Sequence, residues 1–322
     1  MGFRSMKYLL DRAISPRPAK RHLQEAEEDF LKAVYHAAQT QESTTLEAIA
    51  QGLGLSDELL AQIVGSLVLQ GHMQSTPLRL TKQGEYRALR LIRAHRIYEK
   101  YLAEHSGYKP EDWHQMANKM EHHMSEEEQA RIASLLRNPL FDPHGDPIPS
   151  HTLELPQTTQ LITGHITPGQ WLRLLHIEDD DIELFAKINQ THLARNAVLQ
   201  ITQVTPDHFV FLYEGEQHTL PLVALEALTL TQLEPTDEAI EQARRVRRLT
   251  ALSEGEEALI VALSPSCRGA MRRRLMDLGF VRGSRVSIEM RSPMGNPIAY
   301  VVRGSAIALR HDQAQYILIE KN

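Results

Sequence analysis

The chain has 322 residues, with 35 Lys and Arg against 41 Asp and Glu, a formal charge of −6 and one cysteine. That length allows about two to four domains, and the lone Cys267 excludes an intramolecular disulfide and fits a reducing compartment. No run approaches the apolar length of a membrane span, and no signal-peptide pattern is present, so a soluble, cytoplasmic protein is expected. The net negative charge confines any nucleic-acid role to a local basic patch.

Residues 1–24 read as a basic arm, in which Arg4, Lys7, Arg12, Arg17, Lys20 and Arg21 surround a Pro-containing linker. From Glu25 to Ala38, Phe30, Leu31, Val34 and Tyr35 fall at helical spacing behind an acidic first turn, which predicts an amphipathic helix. Thr45 to Gly54 predicts a short helix closed by glycine. Ser56 caps a second helix, Asp57 to Gln70, stopped by Gly71. A β-like stretch from Met73 to Thr81 follows, so residues 25–93 read as a winged helix-turn-helix. Lys82-Gln-Gly-Glu85 then opens a long helix.

That helix carries His95 and Glu99, an i, i+4 pair on one face. Downstream, a helix over 113–123 would place His114, Asn118, Glu121 and His122 at i, i+4, i+7 and i+8, within about a third of its circumference. Two helices can thereby present imidazoles and carboxylates to one another, which is how metal sites between helices are built. A solvated polar face carries the same spacing, so the pattern alone leaves both readings open.

Residues 157–233 change texture. Short apolar runs (Ala197–Thr202, Phe209–Tyr213, Leu222–Leu225) broken by Pro, Gly and Asn predict the strands of a small barrel. A charged helical segment, Thr236 to Leu249, leads to a second β-rich module at 250–322. The two modules form a weak internal repeat of about 80 residues each.

In Glu28-Asp-Phe-Leu-Lys-Ala-Val-Tyr35, Leu80-Thr-Lys-Gln-Gly84, Ala94-His-Arg-Ile-Tyr-Glu99, Met120-Glu-His-His-Met-Ser125 and Asn138-Pro through Asp142-Pro-His-Gly-Asp-Pro-Ile-Pro149, residues 26–149 resemble the diphtheria-toxin-repressor (DtxR) and manganese-repressor family. Residues 157–233 resemble that family's SH3-like third domain. The end of the chain, through Gly269–Gly283, Ser292–Pro297 and Arg303–Arg310, resembles an SH3-like module of FeoA type. The implied fold is α+β and multidomain: a winged helix-turn-helix, a helical metal-binding and dimerisation domain at 94–150, and two C-terminal SH3-like small β-barrels. The resemblance implies one metal site at Asp29, Asn118, Glu121 and His122, and a second at His95, Glu99 and His114, completed by Glu178 and Asp181. It departs at Asn118, where relatives place a cysteine or a carboxylate. Donor sets of oxygen and imidazole without thiol suit Mn²⁺ or Fe²⁺. The resemblance also implies a homodimer, built through 94–135 with Ile97, Tyr101, Leu102, Trp113, Met116 and Met120 as its apolar surplus.

No phosphate loop, nucleophile elbow or zinc-protease motif occurs, so no enzyme chemistry is expected. For DNA, the expected contacts are Ser56 and Gln62 on the recognition helix, with Arg79 and Lys82 beside it. That helix opens with Asp57 and Glu58, and no Lys or Arg lies between Lys32 and Arg79. Two readings follow. One is a metal-dependent transcriptional regulator of metal homeostasis that binds a double-stranded operator. The other is a metal-sensing module acting on a metal transporter, with a winged helix that no longer binds DNA and a FeoA-type domain that meets a protein partner.

Overall fold

The structure, a computed structural model, describes residues 19–39, 45–156 and 165–321. Its N-terminal part is helical and its C-terminal part is built of β-sheet, an α+β architecture. Two compact units are present. One comprises Met1–Tyr101, Asp112–Asp142 and Pro147–Gln157, and the other Leu102–Glu111, Pro143–Asp146 and Thr158–Asn322.

In the first unit, helix α1 spans Ala19–Gln39. It starts six residues before the expected Glu25, because Ala19, Lys20, Arg21, Leu23 and Gln24 are all good helix formers and nothing after Pro18 interrupts them. Most of the basic arm, with Arg4, Lys7, Arg12 and Arg17, lies outside the described residues. Helix α2 is Leu46–Gly52 and helix α3 is Asp57–Leu69. Each begins at a hydroxyl cap: Thr45 Oγ1 accepts from Ala48 N at 3.2 Å, and Ser56 Oγ from Leu59 N at 3.3 Å. Gly54 and Gly71 follow these helices at φ +67° and +75°, a conformation that favours glycine. Phe30, Leu31 and Val34 of α1 close a core with Ile49, Ile63, Leu67 and Met73.

Strands β1 (Met73–Ser75) and β2 (Leu78–Leu80) pair antiparallel, Met73 opposite Leu80. Helix α4, Lys82–His105, starts hard against this ribbon. A Cβ on Gly84 would stand 2.1 Å from the His72 carbonyl oxygen, so only glycine permits that approach. Helix α5 covers Pro110–Glu121 and α6 covers Glu126–Leu135. Ser125 and Glu128 form a reciprocal capping box that starts α6. This box ends α5 earlier than 123 and leaves His122 in the intervening turn.

Of the apolar residues expected at a dimer interface, Ile97, Leu102, Trp113 and Met120 are at most 5% exposed within the chain, whereas Tyr101 and Met116 are half-buried. Leu135 and Leu140 of the first unit are instead more than half exposed.

The second unit holds two antiparallel sheets. The five-stranded sheet runs in the order β6-β5-β4-β3-β7, with β3 Trp171–Ile177, β4 Val198–Val204, β5 His208–Tyr213, β6 Glu216–Pro221 and β7 Leu228–Gln232. A helix α7, Ile182–Asn189, follows β3; no sequence expectation named it. Leu222–Ala227, expected as strand, is a 3₁₀ turn between β6 and β7. Pro221 just before it cannot extend the strand ladder as a donor. The charged link is helix α8, Glu238–Arg245. The six-stranded sheet, β12-β11-β10-β9-β13-β8, is formed by β8 Val246–Arg248, β9 Glu257–Leu263, β10 Arg285–Arg291, β11 Ile298–Val302, β12 Ser305–Leu309 and β13 Ile317–Lys321. It carries helix α9, Gly269–Asp277, and the short α10, His311–Ala314.

The sheets of this unit are joined by a buried ion pair. Arg248 of β8, 1% exposed, reaches Glu214 at 3.1 Å and Glu216 at 3.3 Å. His218 of β6 stacks on Phe211 beside it. Its burial, then the charge of Arg248, push its pKa from 6.5 down to about 4. The unfolded chain therefore binds the extra proton first, and the unit's stability is full above pH 6.5 and declines as pH falls towards 4. With solvent screening of a half-buried ring, the loss is about 1–2 kcal/mol. Urea unfolding of His218→Gln between pH 4 and 7 should lack this part of the acid slope.

Candidate metal centre

Three helices of the first unit and the turn after the last of them converge on one polar cluster. Helix α1 supplies Glu28, Asp29 and Lys32, which lie on one face at i, i+1 and i+4. Helix α4 supplies His95 and Glu99, α5 supplies His114, Asn118 and Glu121, and the turn after α5 supplies His122.

His95 is held at both ring nitrogens. Its Nδ1 meets Glu121 Oε2 at 2.5 Å and its Nε2 meets Glu99 Oε1 at 3.0 Å. Glu99 Oε1 also lies 3.3 Å from His114 Nδ1, and the two imidazoles pack edge to face. His95, Glu99 and His114 thus offer donor atoms within 4.8 Å of one another. His95 and Glu99 are buried, whereas the His114 side chain is 43% exposed and leaves the group open on one side.

The second group adjoins the first through Glu121. His122 Nδ1 bonds Glu28 Oε2 at 2.8 Å, and its Nε2 lies 3.2 Å from Asp29 Oδ1 and 3.9 Å from Glu121 Oε1. Asp29, Glu121 and His122 also bring donor atoms within 4.8 Å. A cation already stands among them. Lys32 Nζ donates to Glu121 Oε2 at 2.9 Å, to Glu121 Oε1 at 3.1 Å and to Asn118 Oδ1 at 3.4 Å.

Burial opposes charge throughout the cluster, and the neighbours outweigh it. For Glu121, Lys32 and then His95 overcome burial and hold the carboxyl at about 2. For His122, hydrogen bonds to Asp29 and Glu28 overcome burial and lift the imidazole to about 10. His95 is raised too, because Glu99 and Glu121 outweigh both burial and Lys32. Glu28 is lowered against burial by its bonds to His122 and Arg87.

Glu178 and Asp181 belong to the second unit. Glu178 follows β3 in an acidic run, where burial and Asp180 raise its pKa. Asp181 caps α7, its Oδ1 accepting from Leu184 N at 3.0 Å. Of the residues expected at DNA, Ser56 uses its hydroxyl as the α3 cap and Arg79 Nε donates to Gln74 at 2.8 Å. Gln62 and Lys82 are exposed. Sequence reasoning missed Glu28 and Lys32, although their offsets from Asp29 on a helical wheel put them on its face.

The comparisons with known proteins match several stretches of this chain. Residues 81–150 match the family model described as iron dependent repressor, metal binding and dimerisation domain, and residues 247–321 match the FeoA domain. The iron-dependent repressor IdeR of Mycobacterium leprae (strain TN) is 26% identical over 210 residues, covering 60% of this chain and 91% of that protein. A solved structure of a manganese-dependent transcriptional repressor in complex with manganese aligns at TM-score 0.58 and 25% identity, over 64% of this chain and 99% of that one. Over these residues the chain is similar to the DtxR family of repressors. That repressor structure covers only part of this chain, which also carries the stretch matching the FeoA domain. A 73-residue stretch is also 37% identical to a probable metal transport system membrane protein of Chlamydia trachomatis, covering 23% of this chain and 16% of that protein.

The Glu121 carboxylate anchors both Lys32 and His95, so Glu121→Gln leaves the part-buried Lys32 without its counter-charge and His95 with Glu99 alone. We expect the variant to lose about 3 kcal/mol of stability in denaturant unfolding at neutral pH. A loss below about 1 kcal/mol, the range of exposed pairs, would show that the pairing is solvent-screened.

Proposed function

We propose that this chain is a metal-dependent transcriptional regulator that senses a divalent transition metal through His95, Glu99 and His114. One observation carries the reading: His95 presents Nε2 to Glu99 and His114 while Nδ1 is held by Glu121. A carboxylate behind a ligating imidazole fixes its orientation and raises its basicity. Two imidazoles and a carboxylate without thiol form a donor set that fits Mn²⁺ or Fe²⁺, and the exposed flank of His114 supplies an entry path. His95 and Glu99 of α4 and His114 of α5 would hold the ion, whose charge would tie the two helices together. Within the chain, Glu99 accepts from both imidazoles and Glu121 orients the buried one.

For the operator, α2 and α3 cross at 117°, close to the angle of a helix-turn-helix pair. The β1–β2 ribbon supports the reading of a wing. Gln62 and Lys82 are the exposed contacts, and Arg79 lies on the wing. The two sheets of the second unit are read as the SH3-like pair. A homodimer built by the 81–150 region would set two wings at groove spacing, as palindromic sites require. Among the described residues no single helix is long and apolar enough to cross a membrane. The stretch shared with a transport-system protein keeps the transporter-linked reading as the rival.

A gel shift with the chain's own upstream DNA separates the two. At ~100 mM salt, where phosphate-driven binding persists, we expect a shift that needs Mn²⁺ or Fe²⁺ and that His95→Ala no longer shows. Gln62→Ala should reduce operator preference by about 1–3 kcal/mol and spare non-specific binding. No shift with metal-loaded protein, together with metal-dependent retention of a transporter fragment, would overturn the regulator reading.

A further inference from the structure

The family resemblance implies two metal sites, and the one that includes Asp29 meets an obstacle on its own face of α1. We propose that the Lys32 ammonium is a tethered replacement for a metal ion at the Asp29, Asn118, Glu121 and His122 position, so that this group takes no divalent metal. The proposal is independent of whether the His95 group binds one.

The geometry is that of an occupied cation site. An ammonium has three protons to donate, and Lys32 Nζ has three oxygen acceptors within 3.4 Å: both carboxylate oxygens of Glu121 and the amide oxygen of Asn118. His95 Nδ1 lies at 3.3 Å on the remaining side. The Glu121 side chain is fully buried and that of Lys32 is 18% exposed, so water screens the pair weakly. A divalent ion reaching Glu121 would stand beside the ammonium, and their mutual repulsion in a buried place would be severe.

Asn118 finds its explanation in the same contact. A thiolate or carboxylate there would add negative charge useful to a divalent ion. A neutral amide supplies one oxygen to a monovalent ammonium whose charge Glu121 already meets. The remaining carboxylates are also engaged: Glu28 pairs with Arg87 at 3.1 Å and with His122, and Asp29 faces His122. Lys32 therefore ties α1 to α5 through its own side chain, and the docking of α1 needs no metal.

The test is a calorimetric titration of the full-length protein with Mn²⁺, for wild type, Asp29→Ala, Lys32→Gln and Lys32→Gln/Asp29→Ala. Wild type and Asp29→Ala should take up the same number of ions per chain. Lys32→Gln, which keeps a polar stem for folding, should gain one further ion, bound at least tenfold more tightly than wild type binds any such excess, and the double variant should lose it. Hydrogen exchange supplies a second readout. Amides of α1 should be equally protected in wild type with and without Mn²⁺, and in Lys32→Gln protected only with Mn²⁺. Loss of an ion from wild type on Asp29→Ala would overturn the proposal, as would a Lys32→Gln variant that gains none. A wild type that binds no Mn²⁺ would defeat the sensing reading above, and the gain in Lys32→Gln would still decide this one.

Discussion

The carboxylate of Glu121 is the point on which the first unit turns. It is completely buried, and it is held by an ammonium from α1 and an imidazole from α4 while its own backbone ends α5. A buried carboxylate without partners would take up a proton or unfold its surroundings. With both partners present, its charge fixes three helices in one arrangement. The imidazole it holds can face Glu99 and His114 in only one orientation. The ammonium it holds places α1, whose other face packs Phe30, Leu31 and Val34 against Ile63 and Leu67 of α3. A polar contact in the cluster is thereby linked, through one rigid helix, to the helix read as facing DNA.

This arrangement divides labour between two groups that resemblance alone would treat alike. Both contain imidazole and carboxylate donors within 4.8 Å. What separates them is the number of cations already present. Around His114, carboxylate Glu99 meets the imidazoles of His95 and His114, a ligand type that binds metal in its neutral form. Around His122, the carboxylates also meet a lysine and an arginine, Lys32 at Glu121 and Arg87 at Glu28. Donor spacing locates candidate sites, and the local charge balance decides which of them can accept a further cation.

The sequence disclosed those parts of the fold that short-range chemistry sets. The Ser56 cap, the helix ends before Gly54 and Gly71 and the α4 face bearing His95 and Glu99 all depend on residues within a turn or two of one another. The misread parts depend on competition. Helix α5 yields its last residues to the capping box that starts α6, so His122 reaches its partners from a turn. Leu222–Ala227 has an apolar pattern that a strand would share, and the proline before it tips the segment into a 3₁₀ turn. Lys32 was visible in the helical pattern of α1, yet its role depends on Glu121 and Asn118, 89 and 86 residues away. No local rule reports a pairing of that range.

The charge pattern of α3 poses a conflict between folding and recognition. Asp57 and Glu58 sit in its first turn, where acidic side chains favour the helix N-terminus and its exposed amides. The same carboxylates would repel phosphate if that end of the helix entered a groove. Ser56, the neighbouring polar group, has its hydroxyl committed to the cap. Base reading would then fall to Gln62, one further turn along, and phosphate contact to Lys82 at the start of α4 and Arg79 on the ribbon. These cations flank α3 without lying on it. Such a surface binds DNA weakly as a single copy, since each phosphate neutralised contributes separately to affinity. Two copies held at fixed spacing add their contacts within one encounter. Dimer geometry, set by the helices that carry the metal-binding residues, would on this account govern operator affinity more strongly than any one side chain of the recognition helix.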